Sequence, residues 1–396
     1  MITSRLPQVG TTIFTVMSAL AARHHAVNLG QGFPDFDCDP TLIDAVTRAM
    51  KAGHNQYPPM AGWPRLREAI ANKIATIYGH RYDWETEVTV TAGATQALLT
   101  AILALIHPGD EVIVIEPAYD SYVPAIRLAG GRPVFVQMRA PTDSHARFSI
   151  PWDEVRAAVT NRTRLIIVNS PHNPTGMTMR DDDLRALEEI VTRHALYVLS
   201  DEVYEHMVFD GLRHESVSRY PALAQRSIVV SSFGKTFHVT GWKVGYSAAP
   251  RALSEEFRKV HQFNVFTVNT PMQAAIAEYL ADPSPYLELP TFYQAKRDFF
   301  RDGLTATRFK LLPAEGSYFQ TVDFSAIRDE LSESDFCRWL TSDIGVAAIP
   351  LSAFRESPRK SDKCADNGAN EERLIRFCFG KKQETLTRAL ERLAAI

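Results

Sequence analysis

Between residues 85 and 250 the chain alternates short apolar runs with longer stretches of helical periodicity. Val88–Thr91 is followed by AGATQALLTAILALI, whose apolar spacing and length predict a helix. Residues 111–115 follow a Pro-Gly-Asp turn signal. Residues 164–168 and 196–199 flank DDDLRALEEIVTRH, a helical pattern that opens on three aspartates, as the positive end of a helix dipole favours. Residues 227–230 close the series. These runs are continuously apolar rather than alternating, which predicts strands covered on both faces. The fold class is therefore α/β, with a mainly parallel sheet between helices. Ligands in such sheets bind beyond the carboxyl ends of the strands, so the residues that leave each run carry the chemical interest.

From about residue 285 the pattern changes. A long helical stretch over 286–306, a helix around 333–341, apolar runs at 346–349 and 375–379 and a last helix predict an α+β arrangement. Two domains are expected: a large one over 46–285, and a small one built from 1–45 and 286–396. Residues 355–372, RESPRKSDKCADNGANEE, are polar and rich in turn formers, and read as an exposed, mobile loop.

Composition narrows the classes. With 396 residues, 45% of them hydrophobic and 22% charged, the chain has apolar material for one large core and a smaller one. A formal net charge of -3 provides no basic field, which argues against nucleic acid as a partner. Cys38, Cys337, Cys364 and Cys378 lie far apart and form no CxxC pair, so neither a disulfide framework nor a metal site is expected. The first residues lack a basic-then-apolar signal pattern, and no apolar run approaches ~18 residues. A cytoplasmic protein with no membrane association is expected.

The strand ends then supply the chemistry. Ala94 and Thr95 open the helix after the first run, where small residues and free backbone N–H groups suit an anion, although Gly-Ala-Thr is also common capping material. Tyr119 in EPAYDSY either stacks a planar ligand or packs between helix and sheet. Asn173 is held in NSPHNPTG by two prolines and a glycine, a rigid turn in its own right. Asp201 ends a buried strand, where a carboxylate needs a cation or donors, unless it caps a helix. SSFGKTFHVTGWKVGY follows the last run and carries Ser232, Lys235 and Lys243. Its two lysines are bracketed by Phe, Trp and Val, which suggests amines held in a partly closed pocket. A lysine, an acid, an aromatic ring and an anion cradle at successive ends of one sheet suit a phosphorylated pyridine aldehyde. Neither GxGxxG nor GxxxxGK[ST] occurs, so a nucleotide fits less well.

NLGQGFPDF, NQYPPMAG, VTAGATQAL, EPAYDSY, NSPHNPTG, SDEVYEH, SSFGKTFHVTGWKVGY and LIRFCF occur in this order over nearly the whole chain. On these motifs the sequence resembles the fold-type I pyridoxal-phosphate aminotransferases, within them the kynurenine and glutamine transaminase branch, and within that the bacterial methionine aminotransferases. The resemblance implies a seven-stranded sheet and pyridoxal 5'-phosphate as cofactor, with its pyridoxamine form as the intermediate state. It implies Lys235 as the Schiff-base lysine and proton carrier, Asp201 on the pyridinium nitrogen, and Asn173 and Tyr204 on the phenolic oxygen. Tyr119 would stack on the ring. Ala94, Thr95, Ser232 and Lys243 would hold the phosphate, Lys243 standing where aspartate aminotransferases carry Arg. Arg376 and the backbone of Gly32 would take the substrate carboxylate. Tyr57 would reach the phosphate of a partner subunit, implying a homodimer.

Phe14, Tyr57 and Phe266 imply an aromatic, uncharged pocket for methionine, glutamine, phenylalanine or kynurenine. Animal kynurenine transaminases carry His after the matching Phe, whereas this chain has Thr267. The implied reaction is ping-pong transfer of the donor's amino group to a 2-oxo acid. Two alternatives share the cofactor: a β-lyase acting on cysteine S-conjugates, and a non-catalytic regulator, which the filled catalytic positions disfavour.

Overall fold

Seven short strands build the main sheet: β1 Val88–Thr91, β2 Glu111–Glu116, β3 Arg132–Gln137, β4 Thr163–Asn169, β5 Tyr197–Asp201, β6 Ser227–Ser232 and β7 Gly245–Ala248. The computed structural model describes residues 2–142, 145–356 and 373–396. The loop expected at 355–372 thus lies, after its first two residues, outside the described residues. The sheet order is β1-β7-β6-β5-β4-β2-β3. β7 runs antiparallel to both neighbours and every other pairing is parallel.

Alternation along each strand explains the continuous apolar runs. Val112 and Val114 face a core shared with α2 (Ala94–Leu105) and α4 (Arg251–Asn264), through Leu98, Ile102, Leu253 and Phe257. Ile113 and Ile115 face the opposite core, where Leu184, Leu187 and Val191 of α3 (Asp181–His194) pack. Side chains two apart share a face, so helices on both sides require apolar residues at every position. The strands β3 and β7 carry weaker signals. β3 is a sheet edge with mostly half-exposed residues, and β7 is four residues long and begins with glycine.

Beyond residue 285 the expected long helix divides into Ser284–Leu287 and α5, Leu289–Leu304. Pro290 lacks an N–H and is tolerated only in a first turn, so it starts a new helix. The 333–341 helix is Glu333–Trp339 and continues as a wider turn to Ile344. The apolar run at 346–349 serves two sheets. Val346–Ala347 pairs in parallel with Val27–Asn28. Ile349–Pro350 (β10) joins β8 (Lys310–Leu311), β9 (Phe319–Asp323) and β11 (Leu374–Cys378) in an antiparallel sheet of order β10-β11-β9-β8. Among the described residues, no helix is long and apolar enough to cross a membrane.

Two features bring the site elements to their places. At Gly245 a Cβ would fall 2.6 Å from the Ser231 carbonyl and 3.2 Å from the Ala94 nitrogen, so only glycine lets the start of α2 meet the end of β6. Behind these strands, Glu205 accepts from Lys73 Nζ at 2.7 Å, Ser231 Oγ at 2.6 Å and Tyr246 Oη at 3.0 Å, and from the Tyr78 hydroxyl. Lys73 lies on α1 (Pro64–Tyr78), and both charged side chains are buried. Burial alone would raise the Glu205 carboxyl, but Lys73, His206 and the donors hold it well below the usual range. Removing one partner of a buried pair strands the other charge. Lys73→Met should therefore lower unfolding free energy by ~3–5 kcal/mol, read from the midpoint of denaturant unfolding.

Candidate active site

At the carboxyl edge of the main sheet, where the antiparallel sheet meets it, lies a cavity of about 280 Å³. Phe14, Gly32, Ala94, Thr95, Tyr119, Asn173, Asp201, Tyr204, Ser232, Lys235, Lys243 and Arg376 all line it. A larger cleft of about 800 Å³, along Pro64–Tyr78 and Thr270–Tyr279, carries none of the expected site residues.

Lys235 sits in the single turn Phe233–Thr236 that follows β6. Its amine donates to Tyr318 Oη at 2.8 Å and to the Gly32 carbonyl at 3.0 Å. Burial pulls its pKa down to about 8, with Arg376 and Lys243 pushing the same way and Cys378 and Asp201 opposing. A neutral amine is thus populated near physiological pH, as a nucleophile or base requires.

Asp201 ends β5 and is buried. Tyr122 Oη donates to its Oδ2 at 2.7 Å. Burial raises this carboxyl to about 6, against the lowering effect of the Tyr122 hydrogen bond. The end of β4 is tied alongside: Asn169 Nδ2 donates to the Asp201 carbonyl at 2.8 Å, and Asn169 Oδ1 accepts from the Asn173 backbone at 2.8 Å.

Arg376 reaches the same corner from β11. Its Nη1 donates to Asn173 Oδ1 at 2.6 Å and its Nη2 to the Gly30 carbonyl at 2.8 Å. The guanidinium lies 3.9 Å from the Phe319 ring centre, and burial lowers its pKa to about 10. Its hydrogen bonds go to an amide and a backbone carbonyl, and among the described residues no acid pairs with it within 4 Å, although Asp120 acts on its charge from farther away. Nε is buried without a partner. A buried cation with no directly bonded acid among the described residues, open to a cavity, is the expected state of an arginine that receives a carboxylate from a ligand.

Ala94 and Thr95 form the start of α2 after Gly93, which has φ +76°. A Cβ on Gly93 would lie 3.2 Å from Lys243 Cε and Nζ, so the lysine crosses directly over the helix N-terminus. Free N–H groups, the Thr95 hydroxyl, buried Ser232 and the Lys243 charge together form an anion cradle. Tyr119 stands beside it, with its hydroxyl 3.4 Å from Thr95 Oγ1. Tyr204 is buried and meets the Tyr318 ring edge-on at 5.1 Å.

The sequence expected both lysines of SSFGKTFHVTGWKVGY in a partly closed pocket. Lys235 is half-buried, but Lys243 is exposed, held in place by a left-handed backbone with φ 55°. Tyr57 and Phe266 do not line the cavity of their own chain. They are 80% and 46% exposed and pack against each other, ring centres 5.3 Å apart. Sequence reasoning missed Tyr122 and Tyr318. Tyr122 stands in EPAYDSY, three residues after Tyr119, and Tyr318 in EGSYF, but no local signal ties either to a partner about 80 residues away.

The model of the family aminotransferase class I and II matches residues 24–393. The methionine aminotransferase of Escherichia coli K12 is 50% identical over 98% of this chain and 97% of that protein. A probable N-succinyldiaminopimelate aminotransferase of Mycobacterium tuberculosis is 41% identical over 100% and 98%. The rat kynurenine–oxoglutarate transaminase 3 is 36% identical over 98% and 88%. A crystal structure from Escherichia coli, described as identifying a methionine aminotransferase function, matches with a TM-score of 0.94 at 48% identity and covers 100% of both chains. With the family model spanning most of its length and its lysine, acid and arginine meeting in one cavity, this chain belongs to the class I and II aminotransferases.

Proposed function

We propose that this aminotransferase moves the amino group of methionine, and also of glutamine and aromatic amino acids, to a 2-oxo acid, with pyridoxal 5'-phosphate held at Lys235. The observation that carries the reading is the convergence of Lys235, Asp201 and Arg376, whose Nε has no partner among the described residues, on one cavity. The donor set fits the cofactor. Ala94, Thr95, Ser232 and Lys243 would hold its phosphate, Asp201 its ring nitrogen, Asn173 and Tyr204 its phenolic oxygen, and Tyr119 a ring face. When bound, it supplies an aldehyde for amine exchange and a ring that takes up the electron pair of a broken C–H bond.

The remaining work belongs to the chain. Arg376 takes the donor's α-carboxylate on its fork, and Asn173 holds that fork in plane. Lys235 carries the proton from the donor's α-carbon and returns it on the other side of the exchange. Phe14, Phe33 and Phe319 give the cavity apolar walls, and Arg376 is the one arginine among the described residues lining it. A second carboxylate on the substrate would find no arginine there, which favours neutral side chains such as that of methionine. An apolar pocket separates such side chains by only ~1–3 kcal/mol per methylene, so specificity is broad.

The exposed Tyr57–Phe266 pair supports a homodimer in which Tyr57 of one copy completes the phosphate site of the other. Pairing of Val27–Asn28 with Val346–Ala347 supports a small domain of 1–45 and 286–396 beside a large one of 46–285. Unpaired thiols at Cys38, Cys337 and Cys378 support a cytoplasmic setting.

A panel of methionine, glutamine, phenylalanine and kynurenine against several 2-oxo acids tests the reading. Oxo-acid-dependent transfer with parallel double-reciprocal plots is expected. Pyruvate and ammonia from cysteine S-conjugates without any transfer would replace it with a lyase.

Asp201 offers a second check with a defined sign. Its folded pKa of about 6 lies above the ordinary carboxylate value, so without cofactor the ionised form costs stability. That cost is absent below about pH 4, grows as pH rises to about 6 and is constant above, where it amounts to about 3 kcal/mol. Asp201→Asn should therefore raise the Tm of the cofactor-free protein at pH 7–8, with the gain vanishing near pH 4, while amino transfer falls by at least about 100-fold.

A further inference from the structure

Tyr318 is fully buried behind Lys235 and is locked in place from every side. Ser317 before it has φ 63°, and its N–H donates to the Met207 carbonyl at 2.8 Å. Gly316 is packed so closely that a Cβ would fall 2.7 Å from the Met207 carbonyl and 2.8 Å from Pro171 Cβ. On the far side the Phe379 N–H donates to the Tyr318 carbonyl at 2.9 Å, and a Cβ on Gly380 would lie 3.2 Å from the ring. Edge contacts from Tyr204 at 5.1 Å and Phe319 at 4.9 Å close the cage. The ring has one position, so its hydroxyl has one place to be.

That place is between Lys235 Nζ, 2.8 Å away, and the Gly32 carbonyl. A carbonyl can only accept, so the single O–H of Tyr318 is given to Gly32. Toward Lys235 the hydroxyl must accept. Lys235 also donates to the Gly32 carbonyl at 3.0 Å. A neutral amine has two N–H bonds and one lone pair. With both N–H bonds committed to these acceptors, the lone pair takes the remaining direction. Tyr318 is not part of the cavity wall, whereas Lys235 is, so that direction is the one left free for the cavity. Burial, with help from Tyr204, holds the Tyr318 phenol well above its usual pKa, so the O–H is retained.

We propose that Tyr318 is a positioning residue whose hydroxyl, with the Gly32 carbonyl, cradles the free amine of Lys235 so that its lone pair faces the donor's α-proton. This rests on the reading of Lys235 as the proton carrier of amino transfer. In that step the Cα–H bond breaks, the proton bonds to Nζ, and the electron pair stays with the substrate and the bound cofactor. The same two acceptors then hold the ammonium. Its third N–H, the proton to be returned, lies along the direction the lone pair had. One arrangement thus serves both directions of the transfer.

Tyr318→Phe in the cofactor-loaded enzyme is the test, because a phenyl ring fills the same cage and only the hydroxyl is lost. Methionine and α-deuterated methionine are reacted in single turnovers and in the steady state, beside melting curves and cofactor content. The KM for methionine should stay within about threefold and kcat should fall about 10–100-fold, the scale of a misaligned reacting group. The α-deuterium isotope effect should grow as proton transfer becomes limiting, with Tm and cofactor content held. Unchanged kcat and isotope effect would overturn the proposal. So would unfolding or cofactor loss in Tyr318→Phe, since the hydroxyl would then be structural. If wild-type enzyme transfers no amino group at all, the functional reading fails instead, and the two failures are told apart.

Discussion

Lys235→Ala should lower the kcat of amino transfer by at least about 10³-fold while leaving the protein folded. General acid–base catalysis alone contributes ~10²–10⁴-fold, and on the proposed reading one atom would serve both as proton carrier and as covalent anchor for the aldehyde. Folding should survive because the amine is held against its preference. Burial lowers its pKa from the ordinary lysine value to about 8, which means that the charged form is disfavoured in the folded state. A shorter apolar side chain removes that cost and leaves the Tyr318 hydroxyl bonded to the Gly32 carbonyl. The residues proposed to hold the phosphate and ring are untouched, so the variant should still bind cofactor but lack the absorption band of the lysine-linked form. Small primary amines added to solution should restore part of the proton transfer. A variant that keeps wild-type kcat would remove Lys235 from the mechanism.

Arg376→Ala should lower kcat/KM by about 100–1,000-fold for methionine, glutamine, phenylalanine and kynurenine alike. This corresponds to about 3–4 kcal/mol, within the range for losing one partner of a buried, hydrogen-bonded charge pair. The uniformity matters more than the size. On the proposed reading Arg376 receives the α-carboxylate, which all four donors share, and its fork is fixed by Asn173, Gly30 and the Phe319 ring. Arg376→Lys should recover little, because an ammonium cannot present two parallel N–H bonds or stack in the same way. A loss confined to one donor, measured in parallel assays, would place Arg376 at the side chain instead of the carboxylate.

Much of this protein was legible before its structure. Apolar runs at 111–115, 164–168 and 196–199 marked strands covered on both faces, because a buried parallel sheet tolerates few polar residues at either parity. The rule that ligands sit beyond carboxyl ends then pointed to Ala94, Tyr119, Asn173, Asp201 and Lys235 without any coordinates, and all five line one cavity. β3 escaped because an edge strand is half solvated and loses the continuous apolar signature. The predicted helix over 286–306 is broken at Glu288 because Pro290 lacks the N–H that a continuous helix needs, although the apolar period runs on across it.

The residues that left each strand, and the chemistry of their side chains, were properties of local sequence, since periodicity and turn formers act over a few neighbours. The tertiary structure alone decided which groups hold those residues. Tyr122 meets Asp201 across 79 positions, Tyr318 meets Lys235 across 83, and Asn173 meets Arg376 across 203. It also gave the two lysines different surroundings, with Lys235 half-buried and Lys243 exposed over a helix N-terminus. Such pairings depend on how the two sheets dock, on distances of a few ångströms that no local pattern encodes. Burial then gives the lowered amine, the raised carboxyl and the lowered guanidinium of this site.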